Sequence, residues 1–439
     1  MHRSESKRLT DPIVPRQYLV HFTLLVLCFM LWGMLNNMTD NLVPAFGKIF
    51  MMKAVDSSYV QVAFYGAYGV LAIPAALIIR RYSYRAGVLL GLGMYIVGAT
   101  GYIPAAMTQN YSLFLVSIFI LAGGLSILET TCNPFVISLG SEETSVRRLN
   151  FAQAFNPIGS LAGILAAKFL ILGNLNPATY EERIAMEPAA LKQIQSAELV
   201  WVCVPYVALI AVALIIWVFF FRDKSRERDQ ETLNFLPSLK RLLSIPRYYW
   251  GVITQFFYVG VQISVWTWTT QYIMTNLGLN EAQAVVYYII SIVVFIISRW
   301  ICTALMRIVD SGTLMAYFAV GGILASLGAV YLPTAYSVWC VVLISAFMSL
   351  MFPTIYGIAL KGLGSELKLG AAGLIMAILG GAVLPAVMGG FIDNGTLSGL
   401  TPAYSGQTAN VRSAFLLPVV CFVVVLLYAL RFRKGHDAK

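Results

Sequence analysis

Two acidic side chains, Asp40 and Glu129, stand in the middle of long apolar stretches of this sequence. An ionisable group inside a membrane costs about 3 kcal/mol or more, so it normally faces the protein interior or a water-filled cavity. Amides accompany each acid: Asn36 and Asn37 stand four and three residues before Asp40, and Asn133 stands four residues after Glu129. Residues three or four apart share one face of a helix. Such polar patches are typical of proteins that move protons together with a polar solute.

Glu129 has the chemistry of a proton carrier. A carboxyl group in an apolar environment favours its protonated form, so a change in hydration can load or release a proton. Its oxygens could also form hydrogen bonds with sugar hydroxyls. The histidines His2, His21 and His436 lie at or outside the predicted membrane ends and cannot take this role. The alternative for Asp40 and Glu129 is a buried hydrogen-bond network that ties helices together.

A further set of side chains could bind an uncharged polyol. The set consists of Gln153, Asn156, Gln255, Tyr258, Gln262 and Trp266. The first two are three residues apart, and Gln255, Tyr258 and Gln262 fall at helical positions 0, 3 and 7, so each group shares one face. Amides both donate and accept, as sugar hydroxyls require. The alternative for the amides is helix packing, and for the tryptophan it is anchoring at the membrane interface.

The composition identifies a polytopic membrane protein. Of 439 residues, 59% are hydrophobic and 11% are charged, whereas soluble proteins average about 25% charged residues. The net charge of +10 does not indicate nucleic-acid binding, because the basic residues cluster in short loops between apolar runs. Residues 1–17 are polar and basic, without the apolar core of a signal peptide, and predict a retained cytoplasmic tail.

Some positions are expected to carry no chemistry. The six cysteines all fall within apolar runs and none has CxxC spacing, so we expect neither a disulfide nor a metal site. The segment 174–198 contains four glutamates, and we expect a solvated loop there. These residues are Glu181, Glu182, Glu187 and Glu198.

Twelve apolar runs are long enough to cross a bilayer, which requires about 20 residues in a helix. Only helices and closed barrels satisfy the backbone hydrogen bonds in lipid, and runs of this length indicate helices. Numbered as spans one to twelve, they are 18–47, 57–79, 86–107, 112–139, 150–173, 199–221, 248–275, 282–306, 312–332, 336–361, 369–392 and 413–431.

The basic residues orient these spans. With the N-terminus in the cytoplasm, the inner loops and tails, counted together with the inner span ends Lys361 and Arg431, hold 23 of the 30 lysines and arginines, the outer loops 5 and the span interiors 2. Because cytoplasmic loops carry an excess of positive charge, we expect both termini to be cytoplasmic. Of the two basic residues within spans, Arg299 is expected to contribute to a cytoplasmic gate.

An internal repeat divides the chain into two halves. Leu139-Gly-Ser-Glu142 recurs 224 residues later as Leu363-Gly-Ser-Glu366. Parallel repeats of six spans, with the substrate near the bilayer midplane, are the arrangement of major facilitator transporters. The predicted divisions are a tail at 1–17, a six-helix bundle at 18–221, a linker at 222–247, a second six-helix bundle at 248–431 and a tail at 432–439.

The sequence closely resembles the fucose/proton symporters of the major facilitator superfamily. The matching motifs in the first half are Leu31-Trp32 with Asn36-Asn37 and Asp40, Leu128-Glu-Thr with Asn133-Pro-Phe135, and Arg148-Leu-Asn-Phe-Ala-Gln-Ala-Phe-Asn156. Those in the second half are Gln255-Phe with Tyr258-Val-Gly and Gln262, Ala346-Phe-Met-Ser349 with Pro353-Thr-Ile355, and Pro385 with Val387-Met-Gly389. The matches extend over essentially the whole membrane portion.

The resemblance implies an all-α integral membrane fold of twelve helices in two six-helix bundles. It also implies that Asp40 and Glu129 are the protonatable pair, with Glu129 near the sugar. Asn37, Gln153 and Asn156 would then line the cavity. Relatives that take glucose and galactose tend to carry Gln at the Glu129 position, so the acid favours the fucose branch.

We therefore expect a proton-coupled importer of L-fucose that works by alternating access in a bacterial inner membrane. We expect no enzyme activity and no cofactor besides the proton gradient. The expected partners are the sugar, the proton and membrane lipid, without nucleic acid, and the expected oligomeric state is a monomer. The alternatives are a proton symporter or uniporter for galactose, glucose or N-acetylglucosamine, a non-transporting membrane sugar sensor, and a membrane enzyme with Asp40 and Glu129 as its acid and base.

Overall fold

The computed structural model describes residues 13–40, 42–52, 56, 59–178, 180–223 and 235–432. Within these ranges the regular structure is entirely helical and contains no β-strand. Much of the predicted tails and linker lies outside the described residues, and the domain limits therefore stay predictions.

The chain forms two compact units. The N-terminal unit comprises Tyr18–Phe135 and Phe155–Leu233, and the C-terminal unit comprises Met1–Gln17, Val136–Ala154 and Asn234–Lys439. Residues 136–154, which hold the end of span four and the start of span five, therefore group with the second half of the sequence.

The helices of the N-terminal unit coincide with the predicted spans, except that the helix of span six begins at Pro188, eleven residues before the predicted start at 199. They are Leu19–Asp40, Leu42–Ile49, Tyr59–Arg81, Tyr84–Thr100, Tyr102–Met107, Tyr111–Ser138 (whose last turn belongs to the other unit), Asn156–Ala166, the π-helical turn Ala167–Ile171, Tyr180–Ile184 and Pro188–Arg222.

The C-terminal unit contains the remaining long helices and one short helix before span seven. They are Ser145–Gln153, Phe235–Leu243, Pro246–Leu277, Glu281–Leu305, Ser311–Tyr331, Thr334–Met348, Met351–Leu360, Leu367–Met376, Gly380–Asn394, Gly406–Ala414 and Leu416–Phe432.

Eleven helical segments of the described part are long and apolar enough to cross a membrane, and each coincides with a predicted span. The remaining span, span seven, is the 32-residue helix Pro246–Leu277. Its polar stripe of glutamines, threonines and tyrosines lowers its apolar content, although its length suffices for a bilayer.

Spans five and eleven are interrupted at the same position of the internal repeat. The helix Ser145–Gln153 ends, and after two turn residues a new helix begins at Asn156. Pro157 lies in its first turn, where a missing N–H is tolerated. In span eleven a new helix begins at Gly380, which is 224 residues after Asn156. The repeat therefore extends beyond its four matching residues.

The expectation of a wholly solvated segment 174–198 is wrong for Glu198. Glu181, Glu182 and Glu187 are exposed, but Glu198 is only 2% exposed and forms an ion pair of 2.5 Å with the buried Arg183. Glu198 also accepts a hydrogen bond of 2.8 Å from the backbone N–H of Asn176. The loop folds back onto the start of the helix Pro188–Arg222, and the sequence alone does not specify that contact.

Candidate functional site

Glu129 lies inside the N-terminal unit with an unsatisfied carboxyl group. The residue is 2% exposed, and neither carboxylate oxygen has a hydrogen-bond partner among the described residues. Asn133, one turn further along the helix, donates to the backbone carbonyl of Glu129 at 3.0 Å and not to its side chain. Leaving a buried acceptor unpaired costs about 1–3 kcal/mol, more when it is charged. The carboxyl group is therefore available to a proton or a ligand.

Tyr68 of span two is the polar neighbour of Glu129 that the sequence analysis missed. Ser126, one turn before Glu129, donates to the backbone carbonyl of Tyr68 at 3.4 Å, which joins spans two and four at this level. The Tyr68 hydroxyl is buried, interacts electrostatically with Glu129 and lies near the Trp32 side chain, but it makes no hydrogen bond of 3.5 Å or less within the described part. Tyr68 is one of 23 tyrosines, and no spacing signal distinguishes it in the sequence.

Span one contributes further unsatisfied polar atoms to the same unit. Asn36 Oδ1 and Thr39 Oγ1 are buried and make no hydrogen bond to described residues, and Trp32 Nε1 is buried with the Tyr68 side chain as its polar neighbour. Native proteins pair nearly all buried polar atoms with protein or water. A group of unpaired atoms in one unit is therefore typical of a site where a polar ligand supplies the missing hydrogen bonds.

Asn37 and Asn156 both lie next to the backbone of Gly33. Asn37 Nδ2 donates to the Gly33 carbonyl at 3.2 Å, and a Cβ placed on Gly33 would lie 2.1 Å from the Asn156 carbonyl oxygen. Asn156 Nδ2 donates to the carbonyl of Phe29 at 3.1 Å. The amide nitrogen of Asn156 thus joins spans five and one, which corresponds to the helix-packing alternative. Contact between the substrate and the remaining side-chain amide atoms of Asn37 and Asn156 stays a prediction.

A glycine pair that the sequence analysis left out explains why these helices are so close. A Cβ on Gly159 would lie 2.0 Å from the Met30 carbonyl oxygen, and one on Gly163 would lie 2.2 Å from that of Met34. Gly159 and Gly163 form a GxxxG pattern, which permits close backbone approach of membrane helices. This pattern was visible in the sequence and predicts a close helix contact on span five, and the structure identifies span one as the partner.

Asp40 is the last residue of the helix Leu19–Asp40. Asn36, Asn37 and Asp40 therefore belong to one continuous helix, as the predicted polar face of span one requires. The side chain of Asp40 lies outside the described part of the structure, and its role as a proton carrier stays a prediction.

In the C-terminal unit, Gln153 contacts Arg299 through its backbone. Gln153 is 3% exposed, and its carbonyl oxygen accepts a hydrogen bond of 3.0 Å from Arg299 Nη1. Arg299 also donates from Nε to the carbonyl of Ser349 at 2.5 Å. Close by, Asn150 Nδ2 donates to Thr354 Oγ1 at 3.2 Å. The start of span five is therefore bonded to spans eight and ten, and the gate role of Arg299 stays a prediction.

The predicted stripe of span seven contains side chains with different environments. Gln255 is fully buried, and neither of its amide atoms has a hydrogen-bond partner in the described structure. Tyr258, one turn later, is also fully buried, but its hydroxyl donates to the Met348 carbonyl at 3.0 Å. Gln262 is half-buried. Gln255 therefore offers free donors and acceptors, whereas the hydroxyl of Tyr258 is engaged within the unit.

Trp266, further along the same helix, is oriented by two neighbours. Its Nε1 donates to Ser345 Oγ at 3.1 Å, and its ring meets the ring of Phe295 edge-on at 5.2 Å. These contacts fix the plane of the indole. Stacking of the indole on a sugar ring stays a prediction.

The described residues contain no group of three or more His, Cys, Asp or Glu that could hold a metal ion. All six cysteines belong to the described part, and each is a free thiol. What the site offers chemically is a carboxyl group, amides, hydroxyls and an indole, which suits a proton and a neutral polyol.

The fold and these residues define a multi-pass membrane transporter. Residues 24–387 match the Major Facilitator Superfamily, and the chain belongs to this superfamily. It is 41% identical to the L-fucose-proton symporter of Haemophilus influenzae over 96% of this chain and 98% of that protein. It is 30% identical to the glucose/galactose transporter of Brucella abortus over 96% of each chain. Its structure resembles that of the transporter FucP in the outward conformation, with a TM-score of 0.86, 32% identity and coverage of 95% of this chain and all of that one.

Proposed function

We propose that this protein imports L-fucose together with protons by alternating access across a bacterial inner membrane, with both termini in the cytoplasm. The observation that carries the proposal is the buried carboxyl group of Glu129, whose two oxygens have no partner in the described structure. An acid inside a membrane protein is by default part of an ion or substrate pathway. The similarity to an L-fucose-proton symporter over nearly the whole chain supports both the sugar and the proton.

The proposed roles of the side chains rest on the resemblance to the fucose/proton symporters, and the environment of Glu129 supports its role. Glu129 and Asp40 carry protons, and Glu129 also contacts the sugar. The other proposed sugar contacts are Asn37, Gln153, Asn156, Gln255, Tyr258, Gln262 and Trp266. Gln255 is favoured among them because its amide is buried and unpaired. The proton gradient drives transport without a cofactor, and the protein works as a monomer surrounded by lipid.

A second candidate function is proton symport of glucose or galactose. The similarity to the glucose/galactose transporter of Brucella abortus, at 30% identity, supports it. L-Fucose is favoured because the identity to the fucose symporter is higher, at 41%, and because Glu129 is an acid.

The test uses de-energised vesicles that contain the protein in a weakly buffered medium with a pH electrode. L-Fucose, galactose, glucose and N-acetylglucosamine are added in turn, and vesicles without the protein serve as the control. Alkalinisation of the medium with L-fucose alone is the expected result. Alkalinisation with another hexose alone would keep the mechanism and change the substrate. Sugar entry without a pH change would show a uniporter, and sugar binding without entry would show a sensor.

A further inference from the structure

The short helix Phe235–Leu243, which we name the linker helix, has two different faces. Ser238 and Leu242, one turn apart, are 1% and 0% exposed. Leu236 and Leu243 are 73% and 56% exposed, and Lys240 between them is exposed as well. Steps of four and three residues place Leu236, Lys240 and Leu243 on one face. The linker helix therefore presents an apolar stripe with a cation at its centre.

The opposite face of the linker helix is fixed to its own unit. It packs against the helices Pro246–Leu277 and Leu367–Met376. Arg241 of the linker helix forms an ion pair of 3.5 Å with Glu366, the residue directly before the helix Leu367–Met376. These contacts hold the helix in one orientation, so its exposed stripe is a permanent feature of the surface.

The position of the linker helix in the chain places this stripe at the membrane boundary. Span seven begins at Pro246, three residues after Leu243. Trp250, in the second turn of span seven, is 46% exposed, and tryptophan is enriched at membrane interfaces. Two exposed leucines would be unfavourable in water but are suited to the boundary between headgroups and acyl chains.

We propose that the linker helix is a membrane-surface anchor that binds anionic phospholipids of the cytoplasmic leaflet. Leu236 and Leu243 enter the acyl boundary, and the Lys240 ammonium pairs with lipid phosphate. A basic residue near an anionic leaflet is attracted to it, and its long aliphatic stem lets the charge reach the headgroups. The charge of Lys240 selects anionic lipid over a neutral surface, whereas the charge of its neighbour Arg241 is paired with Glu366. The side of the membrane rests on the proposed orientation, whereas the lipid contact does not depend on sugar or proton transport.

Hydrogen–deuterium exchange of the full chain in lipid nanodiscs tests this proposal. Nanodiscs of phosphatidylcholine alone are compared with nanodiscs containing phosphatidylcholine and phosphatidylglycerol in a ratio of about 3:1. We expect the backbone amides of 236–243 to exchange about fivefold more slowly with the anionic lipid, which corresponds to roughly 1 kcal/mol for one basic residue. Since both kinds of nanodisc carry the same scaffold protein, a difference in protection arises from the lipid. Equal exchange in the two compositions would overturn the proposal.

Two variants separate the specific contact from a general effect of charge. Lys240→Glu should remove the difference between the compositions, whereas Lys192→Glu should preserve it, because Lys192 is an exposed lysine on a different helix. The double variant Leu236→Asn with Leu243→Asn should speed exchange in both compositions. Exchange in the helix Ser311–Tyr331 reports whether each variant is folded. A lipid dependence that persists in Lys240→Glu, or disappears in Lys192→Glu, would contradict the proposal. No step uses sugar, so the outcome is independent of the proposed transport.

Discussion

At the scale of single residues, Glu129 and Gln255 stand out because they are buried without hydrogen bonds to the described protein. A protein that only needed to join helices would pair such groups, since each unpaired one costs about 1–3 kcal/mol. The unpaired atoms of Glu129 and Gln255 are explained if a proton and a polar solute bind to them during transport. Tyr258 shows the contrast, because its hydroxyl is already bonded to Met348.

Replacing Glu129 with glutamine should abolish uphill accumulation of sugar and spare sugar exchange across the membrane. Glutamine keeps the shape and hydrogen-bonding capacity of the acid but cannot take up or release a proton. Proteoliposomes distinguish the two processes through gradient-driven uptake and counterflow. Glu181→Gln, at an exposed glutamate, is the matched control and should behave as the parent protein. Normal accumulation in Glu129→Gln would contradict the coupling role.

Two tyrosine-to-phenylalanine variants should differ in their effect on stability. Tyr258→Phe removes a buried hydrogen bond and should destabilise the protein by about 1 kcal/mol. Tyr68→Phe removes a hydroxyl without a partner in the described part, so it should not lower stability, but it should weaken sugar binding. Melting temperatures and sugar affinities of both variants check this. A loss of stability in Tyr68→Phe, with unchanged affinity, would assign Tyr68 a structural role.

At the scale of helices, close packing positions the candidate site. Gly159 and Gly163 bring span five against span one, and Asn156 bonds to the Phe29 carbonyl across the same contact. In the second half, a Cβ on Gly380 would lie 2.0 Å from the Phe256 carbonyl oxygen. Helices in lipid associate through such small residues, because lipid supplies no hydrophobic drive between them.

Gly159→Ala should lower stability, because its methyl group would meet the Met30 backbone at 2.0 Å. Overpacking of this kind costs about 1–3 kcal/mol. Gly66→Ala on span two is the matched control, since a Cβ there meets nothing within 4 Å. Thermal unfolding in detergent compares the two variants. Equal melting temperatures would contradict the prediction, because spans one and five could then move apart without a loss of stability.

At the scale of the whole molecule, proton and sugar binding must influence each other for symport to occur. Such coupling is reciprocal, so whatever the sugar does to proton affinity the proton does to sugar affinity. The repeated interruption at Asn156 and Gly380 gives each half of the chain a broken helix, and in the first half the break lies beside candidate sugar contacts.

L-Fucose should bind more tightly at acidic than at alkaline pH, because symport requires the protonated protein to favour the sugar. Typical coupling energies correspond to about 5- to 150-fold in affinity. Equilibrium binding to the purified protein across pH 5–9 measures the change, and Glu129→Gln should flatten it. An affinity that is independent of pH in the parent protein would contradict proton coupling.

Both termini should lie in the cytoplasm if the basic loops orient the chain. A green fluorescent protein fused after Lys439 should be fluorescent, whereas alkaline phosphatase at the same position should be inactive. The reverse pattern would invert the topology and place the linker helix on the outer surface. Fusions of the same two reporters after Pro188, where the helix Pro188–Arg222 begins, are the control. There the alkaline phosphatase should be active and the green fluorescent protein should not be fluorescent.

The sequence by itself determined the helices and the candidate acids, because both are local properties. A backbone in lipid must satisfy its own hydrogen bonds, so about 20 consecutive apolar residues specify a helix wherever they occur. An acid within such a run is visible without any knowledge of its neighbours. The GxxxG pattern at Gly159 and Gly163 was equally local, and a close helix contact there could have been predicted, although not its partner.

Only the tertiary structure decided which polar groups are satisfied, because partners come from distant parts of the chain. Glu187 and Glu198 belong to the same predicted loop, yet Glu198 lies in the helix Pro188–Arg222, where it meets Arg183 and is buried. Tyr68 and Tyr258 are both buried tyrosines, yet only Tyr258 finds a backbone carbonyl, 90 residues away. A hydrogen bond depends on atomic positions within about 3.5 Å, which spacing along one helix cannot specify.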